Sequence, residues 1–291
     1  MRKPVRIGDR FIVIQGRVNL AFICSDNECY MVDSGLDDDQ ARRVLNIASE
    51  EGLSIKALLN THSHADHIGG NSFFVKRTGL NIYADSREIP FIIEPILEPA
   101  VMYGGYPPKD LRNKLFVAKP SYPKDIRGLS IDFEIVDICG HSPGMIGFRT
   151  EKVFFVADAY LPKRVIEKHA IPYAYLPKKA LETLETIIET KGLIYIPSHG
   201  EPTEKPEEDI MINIEIIKKV KATILEILSS EMTTEDILVK TLNALDIKVE
   251  FIGLYHLYSS IIRNYLSWLE EENYIKPVMK GRRLLWQRIK R

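Results

Sequence analysis

Short apolar runs alternate with helix-like segments through the first two thirds of the chain. The clearest runs span residues 55–60, 131–136, 153–157 and 193–197. Each has the length of a strand, and each is followed by a polar loop, which is typical of buried strands. Because strands and helices alternate along the sequence, the pattern predicts an α/β fold.

The last third of the chain has a different pattern. A polar segment with two prolines, 200–206, precedes isoleucines and valines at helical spacing over 210–227. A second helix is expected after Thr233 or Thr234, either of which is a suitable N-cap. A third helix over 255–269 and a β-hairpin over 274–286 complete the region. We therefore predict two domains, residues 1–204 and 205–291, the second small, mostly helical and similar to a winged helix.

A proline-rich insertion interrupts the first domain over about residues 86–126. It carries seven prolines, with Tyr103, Gly104, Gly105 and Tyr106 near its middle. A connector of this length is uncommon in a compact domain unless it has a function. A lid or substrate-binding loop and a decoration or dimer contact are equally supported.

Four side chains able to bind a metal occur within six residues, directly after the run 55–60. They are His62, His64, Asp66 and His67, and the chain has only 7 histidines among its 291 residues. A turn between a strand and a helix lets such side chains converge on one point. A polar surface loop rich in histidine is the weaker interpretation.

Three later residues have the same placement at the end of an apolar run. His141 follows 131–136, Asp158 follows 153–157, and His199 follows 193–197. The carboxyl ends of strands are where layered α/β folds assemble their sites. We therefore expect the seven side chains to form one cluster.

The His-x-His-x-Asp-His motif with the later His141, Asp158 and His199 resembles the metallo-β-lactamase superfamily over about residues 5–204. The resemblance implies an αββα sandwich with a dinuclear metal centre at one edge. One metal would take His62, His64 and His141; the other would take Asp66, His67 and His199, with Asp158 as the bridge. Asp33, in Met31-Val32-Asp33-Ser34-Gly35, matches an early aspartate of the family that supports the ligands.

Two divalent cations in such a site would lower the pKa of a bridging water towards about 7, which gives hydroxide at neutral pH. Asp66 would orient this nucleophile and carry its proton. Imidazole and carboxylate ligands favour two zinc ions, with iron or manganese also compatible. A metal-dependent hydrolase of a small ester, thioester or lactone is the leading interpretation.

Two alternatives of different class stay open. One is a metallo-nuclease acting on RNA or DNA, and the other is an iron-dependent persulfide dioxygenase. The commonest true β-lactamases of the superfamily carry arginine at the position of His67 and cysteine at that of Asp158. Hydrolysis of a β-lactam is therefore not expected, whereas glyoxalase II-type thioesterases share the pattern of this chain.

The C-terminal hairpin gives limited support for nucleic acid as a partner. Residues 276–291 hold seven basic and no acidic side chains, but 206–291 hold thirteen of each sign. The third helix ends in Glu270-Glu271-Glu272, which would repel phosphates. Packing or homodimerisation is favoured over nucleic-acid binding, and a small-molecule substrate is the expected partner.

Composition agrees with a water-soluble enzyme. Apolar residues make up 45% and charged ones 27%, and the net charge of −1 argues against steering of a strongly charged partner. The longest apolar runs are too short to span a bilayer, and the basic start lacks the apolar segment of a signal peptide. We expect no membrane association and a cytoplasmic location.

Several further residues have open roles. Cys24 and Cys29 flank a predicted hairpin turn, where two small apolar residues are favoured over a disulfide; Cys139 is expected to pack. Tyr160, Lys163 and Arg164 follow Asp158 and are within possible reach of a substrate. His169 and His256 lack ligand partners nearby and are expected to be ordinary histidines.

Overall fold

Two β-sheets and the helices on their outer faces make up the first two thirds of the protein in a computed structural model that describes residues 3–289. The first sheet has the order β1 to β7: β1 (Val5–Ile7), β2 (Phe11–Ile14), β3 (Leu20–Ser25), β4 (Glu28–Val32), β5 (Ser54–Leu59), β6 (Ile82–Ala84) and β7 (Lys124–Asp125). Strands β1 to β4 are antiparallel and β4 to β7 are parallel.

The second sheet has four strands in the order β11-β10-β9-β8. They are β8 (Glu134–Asp137), β9 (Ile146–Arg149), β10 (Val153–Ala157) and β11 (Ile194–Pro197). Only β10 and β11 are parallel, because α6 and α7 connect them. The helices are α1 (Asp38–Glu50), α2 (Ala65–Ile68), α3 (Asn71–Thr78), α4 (Ile89–Ile93), α5 (Leu97–Tyr103), α6 (Lys163–His169), α7 (Pro177–Glu189), α8 (Glu207–Ile227), α9 (Thr234–Ala244) and α10 (Ile252–Glu271).

Both faces of the first sheet are buried, which explains its nearly continuous apolar strands. In β2, Phe11 and Val13 pack between the sheets, whereas Ile12 and Ile14 face α1 and α3 with Phe74. Alternate side chains of one strand thus belong to two different cores. The αββα layers implied by the resemblance are confirmed.

The C-terminal region contains the expected elements. Helices α8, α9 and α10 are followed by a two-stranded sheet of β12 (Ile275–Lys280) and β13 (Arg283–Arg288). Thr233 caps α9 in a capping box with Asp236, so of the two proposed caps Thr233 is the correct one. Buried residues of α8 and α10 share one apolar cluster with the second sheet, so the two regions do not have separate cores. The domain boundary at 204/205 and the winged-helix likeness stay predictions.

The insertion has more regular structure than its prolines suggest. It contains α4, α5 and a 3-10 turn at Lys109–Leu111, and it ends in β7 at the edge of the first sheet. Its final residues are therefore part of the sandwich. The remainder packs against α10 and lies over the carboxyl ends of the strands.

Cys24 and Cys29 form a disulfide between β3 and β4. The favoured prediction of two unbonded residues was wrong. The two positions are directly paired across the antiparallel strands, with Cα atoms 4.1 Å apart, which is close enough for a bridge. Cys139 is a free, buried thiol and packs as expected.

The helices of residues 3–289 are all either too short or too polar to cross a lipid bilayer.

The disulfide leads to a simple thiol count. Alkylation of the denatured, unreduced protein is expected to label one cysteine, Cys139, and all three after reduction. Intact-mass spectrometry measures the difference. Labelling of three thiols without reductant would show that the bridge does not form in solution.

Candidate functional site

Seven polar side chains from four loops meet at one edge of the sandwich. Strand β5 leads into the turn that carries His62, His64, Asp66 and His67, the last two on α2. The other three follow strands of the second sheet or connect them: His141, Asp158 and His199. Because β10 and β11 are parallel neighbours, Asp158 and His199 leave the sheet side by side.

The nitrogen and oxygen atoms of these residues approach each other closely. His64 Nδ1 lies 2.9 Å from His141 Nε2, and His199 Nε2 lies 3.2 Å from Asp158 Oδ2. The other oxygen of Asp158 is 3.5 Å from His67 Nε2. Three sets of potential ligand atoms lie within 4.8 Å of one another: His62, His64 and His141; His62, His67 and Asp158; and Asp66, His67 and His199.

Each of the five histidines bonds an acceptor outside the cluster with one ring nitrogen. The pairs are His62 Nδ1 with Thr61 Oγ1 (3.0 Å), His64 Nε2 with Glu98 (3.1 Å), His67 Nδ1 with Asp33 (2.8 Å), His141 Nδ1 with the Tyr173 carbonyl (3.1 Å) and His199 Nδ1 with the Arg17 carbonyl (2.8 Å). A neutral imidazole that donates from one nitrogen keeps a lone pair on the other. In the neutral form, each of the five rings therefore directs its lone pair into the cluster, as metal-binding histidines do.

Buried polar atoms that lack good hydrogen bonds also indicate a metal-binding role for the cluster. His62 Nε2 is fully buried and has no hydrogen-bond partner among the described residues, and the buried His67 Nε2 and Asp158 Oδ1 have only each other, at 3.5 Å. Leaving such atoms unpaired is costly. A cation that accepted lone pairs from all three would remove this cost, so the residues fit a metal centre.

The buried carboxylate of Asp33 connects the two sides of the cluster. Its oxygens accept hydrogen bonds from the Thr61 amide at 2.8 Å, the Thr61 hydroxyl at 2.7 Å and His67 Nδ1. Since the Thr61 hydroxyl donates to Asp33, it accepts from His62 Nδ1. One carboxylate thus orients His67 directly and His62 through Thr61.

The histidines differ in their electrostatic environment. Burial and the neighbouring imidazoles hold the pKa of His62 well below its usual value and that of His141 at about 4. Burial also opposes protonation of His199, but Asp158 and Asp66 outweigh it and raise its pKa to about 9. Burial opposes protonation of His67 as well, but Asp158, Asp33 and Asp66 together raise its pKa. His62 and His141 are therefore held neutral, with a lone pair free for a metal ion, whereas carboxylates favour a proton on His67 and His199 when no cation is bound.

The backbone next to two of these residues has unusual geometry. Ala157, which precedes Asp158, has φ of +46°, a strained value for a residue with a Cβ. Gly140, which precedes His141, has φ of +133°, and a Cβ there would lie 2.4 Å from the backbone of Ala180. Only glycine lets this loop approach α7 so closely.

Glu88 is a buried residue of the insertion that the sequence pattern did not single out. Its carboxylate accepts hydrogen bonds from the Ser63 amide at 3.0 Å, the Gly144 amide at 2.6 Å and the Ser142 hydroxyl at 2.7 Å. It therefore joins the loop of His62 and His64 to the loop of His141. Its position directly before α4 gave no signal of this role.

Glu98 and Tyr173 were also missed. Glu98, on α5, is paired with His64, which lowers the pKa of this carboxyl despite its burial. Tyr173 lies against the rings of His64 and His141 and bonds His141 through its carbonyl. Both contacts join segments far apart in the sequence, so local patterns do not reveal them.

Other residues with open roles lie outside the cluster. Tyr160 is buried in the core, and Lys163 pairs with Glu208 on α8. His256 packs edge-on against Tyr103 of the insertion and belongs to none of the ligand sets. Arg164 is exposed and does not line the cavity of the site. The His169 side chain and residues 290–291 of the basic hairpin lie outside the described residues.

A cavity of about 180 Å³ opens onto the cluster. His64, Asp66, His141 and Asp158 form its floor, and apolar side chains of the insertion and of α10 form its walls. A substrate that fills this cavity contacts the ligand-type side chains directly.

Comparison with known proteins adds an independent observation. The sequence model of the metallo-β-lactamase superfamily matches residues 13–199. A hydroxyacylglutathione hydrolase, GloC, of Haemophilus influenzae is 29% identical over 202 residues, which cover 65% of this chain and 89% of that protein. A probable metallo-hydrolase, YybB, of Bacillus subtilis is 26% identical over 210 residues, 69% of this chain and 86% of that protein.

The fold of the whole chain also has a counterpart. The metallo-β-lactamase family protein TTHA1429 of Thermus thermophilus superimposes with a TM-score of 0.70 at 20% identity. The superposition covers 99% of this chain and 97% of that one. The helical C-terminal region is therefore part of a shared architecture.

Glu88→Ala is expected to lower the free energy of unfolding by about 2–5 kcal/mol, because two buried amides and a hydroxyl would lose their acceptor. Urea denaturation measures the change. Glu94→Ala, an exposed residue of the same insertion, is the control and should change stability by less than about 0.5 kcal/mol. Equal effects of the two substitutions would contradict the role of Glu88.

Proposed function

We propose that this chain, which belongs to the metallo-β-lactamase superfamily and is a metal-dependent hydrolase, uses two metal ions to cleave a small ester, thioester or lactone. The observation that carries the proposal is the orientation of the five histidines. Each donates outward from one nitrogen and directs the other into the cluster.

The proposed ligands divide into two sets. His62, His64 and His141 would hold one ion, and Asp66, His67 and His199 the other, with Asp158 between them. A bridging role is supported by Asp158 Oδ2, which lies 3.5 Å from His141 Nε2 of one set and 3.2 Å from His199 Nε2 of the other. When bound, two divalent cations lower the pKa of water to about 7 and polarise a substrate carbonyl. The donor set favours zinc and is compatible with iron or manganese.

Asp66 is the proposed proton carrier. Its side chain is 35% exposed, lines the cavity and lies 3.7 Å from His199 Nε2. A carboxylate at this position can accept the proton that an attacking water loses and pass it to the leaving group. The buried carboxylates Asp33 and Glu88 instead orient other residues.

The relatives support an ester-type or thioester-type bond as the target. A hydroxyacylglutathione hydrolase cleaves a thioester, and His67 and Asp158 distinguish this chain from the commonest β-lactamases.

The nuclease alternative has little specific support. Lys280 of the basic hairpin pairs with Glu231, and Arg288 donates to the Leu225 carbonyl, so these cations are engaged within the C-terminal region.

Metal content and turnover test the proposal together. Protein purified without added metal is expected to hold two zinc or manganese ions and to hydrolyse simple thioesters. Asp158→Ala should reduce the content towards one ion and abolish turnover, because the carboxylate between the two sets is lost. Elemental analysis and a thiol-release assay measure both, with exposed Asp110→Ala as the control.

Other outcomes favour the alternatives. One iron per chain, with oxygen consumed on a glutathione persulfide, would indicate the dioxygenase. RNA cleavage that disappears in Asp66→Ala would indicate the nuclease. Unchanged turnover in Asp158→Ala would refute the bridging role.

Asp33→Asn tests the support of the ligands. An amide has one acceptor oxygen and cannot satisfy the three donors that contact Asp33, so His67 and His62 lose their orientation. Metal affinity is expected to fall about 10- to 100-fold. Competition with a chromophoric chelator measures it.

Asp26→Asn is a matched control, because Asp26 has nearly the same backbone angle (φ +54° against +56°) but lies in an exposed turn. Its metal affinity should equal that of the unmodified protein. Equal affinities for all three proteins would exclude a supporting role for Asp33.

A further inference from the structure

The cavity above the cluster has walls from three separate parts of the chain. Helix α5 of the insertion contributes Pro99 and Met102, the segment after the 3-10 turn contributes Phe116, and α10 contributes Leu257. Pro99 and Met102 are buried, and Phe116 and Leu257 are partly buried. We call this space the apolar chamber.

Helix α10 is fixed against the chamber by close contacts. Gly253 lies so near Phe116 that a Cβ would come within 3.2 Å of the Phe116 ring. The Tyr173 hydroxyl is hydrogen-bonded to Ser260, and the Asn264 amide donates to the Ala174 carbonyl at 3.0 Å. The C-terminal region thus closes the site, in addition to packing on the sandwich.

The charge of the chamber restricts what it can hold. Among the described residues that line it, none is a lysine or an arginine, and Glu98 adds a carboxylate. A glutathione moiety carries two carboxylates, which would have no cation to pair with here. Burying an unpaired charge is costly, so the chamber disfavours an anionic group.

The volume gives the size of the occupant. A cavity of about 150 Å³ with apolar walls binds benzene, a six-carbon molecule. The apolar chamber, at about 180 Å³, therefore has room for one group of about six carbons. It cannot hold both halves of a larger thioester, so the bulky thiol or alcohol must extend towards solvent.

We propose that the apolar chamber binds the acyl group of the substrate, and that this group is an uncharged chain or ring of about six carbons. The inference rests on the proposed hydrolase function and adds the substrate class to it. Met102, Phe116 and Leu257 line the chamber and would limit the length of the acyl chain. The carbonyl carbon then lies over the floor, next to Asp66 and Asp158.

The test is a series of thioesters of one small uncharged thiol, N-acetylcysteamine, with acyl groups from acetyl to decanoyl. The specificity constant kcat/KM is expected to rise about three- to fourfold per methylene up to about hexanoyl and then to level or fall. A glutaryl thioester, similar in length to hexanoyl but anionic, should be on the order of a hundredfold worse than hexanoyl. A flat series, or a glutaryl thioester as good as hexanoyl, would overturn the proposal.

Two variants locate the binding position. Leu257→Trp should shorten the preferred acyl chain by two or three carbons, because the larger side chain fills part of the chamber. Leu284→Trp, at an exposed leucine of β13, is the matched control and should not alter the profile. Unchanged preference in a folded Leu257→Trp protein would place the acyl group elsewhere.

A binding measurement separates this inference from the hydrolase proposal. Straight-chain 2-alkanones, which carry no scissile bond, should bind and raise the melting temperature of the protein. Their affinity should rise about three- to fourfold per methylene up to six carbons. If no thioester or ester is cleaved but the ketones bind in this order, the proposed function fails and the chamber assignment stands. If thioesters are cleaved without chain-length preference and the ketones do not bind, only the chamber assignment fails.

Discussion

The site depends on one buried carboxylate at the end of β4. Asp33 contacts the backbone and the hydroxyl of Thr61 at the end of the neighbouring strand β5, and it also bonds His67. Adjacent parallel strands hold these residues at fixed positions, so two histidines keep their orientation without help from solvent. An acceptor at the centre of the network is needed because each imidazole must donate outward to direct a lone pair inward.

The insertion adds a second level of support at the same edge. Glu88 joins the His62–His64 loop to the His141 loop, and Glu98 bonds the outer nitrogen of His64. The same segment forms most of the apolar walls of the chamber, so its elements both orient histidines of the cluster and border the cavity. These contacts favour the substrate-binding interpretation of the insertion over that of a decoration.

The C-terminal region completes the enclosure. Helix α10 contributes Leu257 to the chamber and lies against Phe116 through Gly253. Its buried residues continue the core of the second sheet. The fold therefore uses one helix both to close a hydrophobic core and to limit the depth of the candidate active site.

The sequence alone determined the strand pattern and the seven polar residues, because strand periodicity and ligand spacing are local properties, and the family resemblance of the motif implied the αββα layers. Tertiary structure decided which nitrogen of each histidine faces the cluster, since this depends on acceptors such as Glu98 and the Tyr173 carbonyl that lie far away in sequence. It also paired Cys24 with Cys29, a result that spacing left open and that the register of β3 and β4 settled. Leu257 lies nearly 200 residues from His64, so only the packing of α10 on the insertion brings it into the chamber.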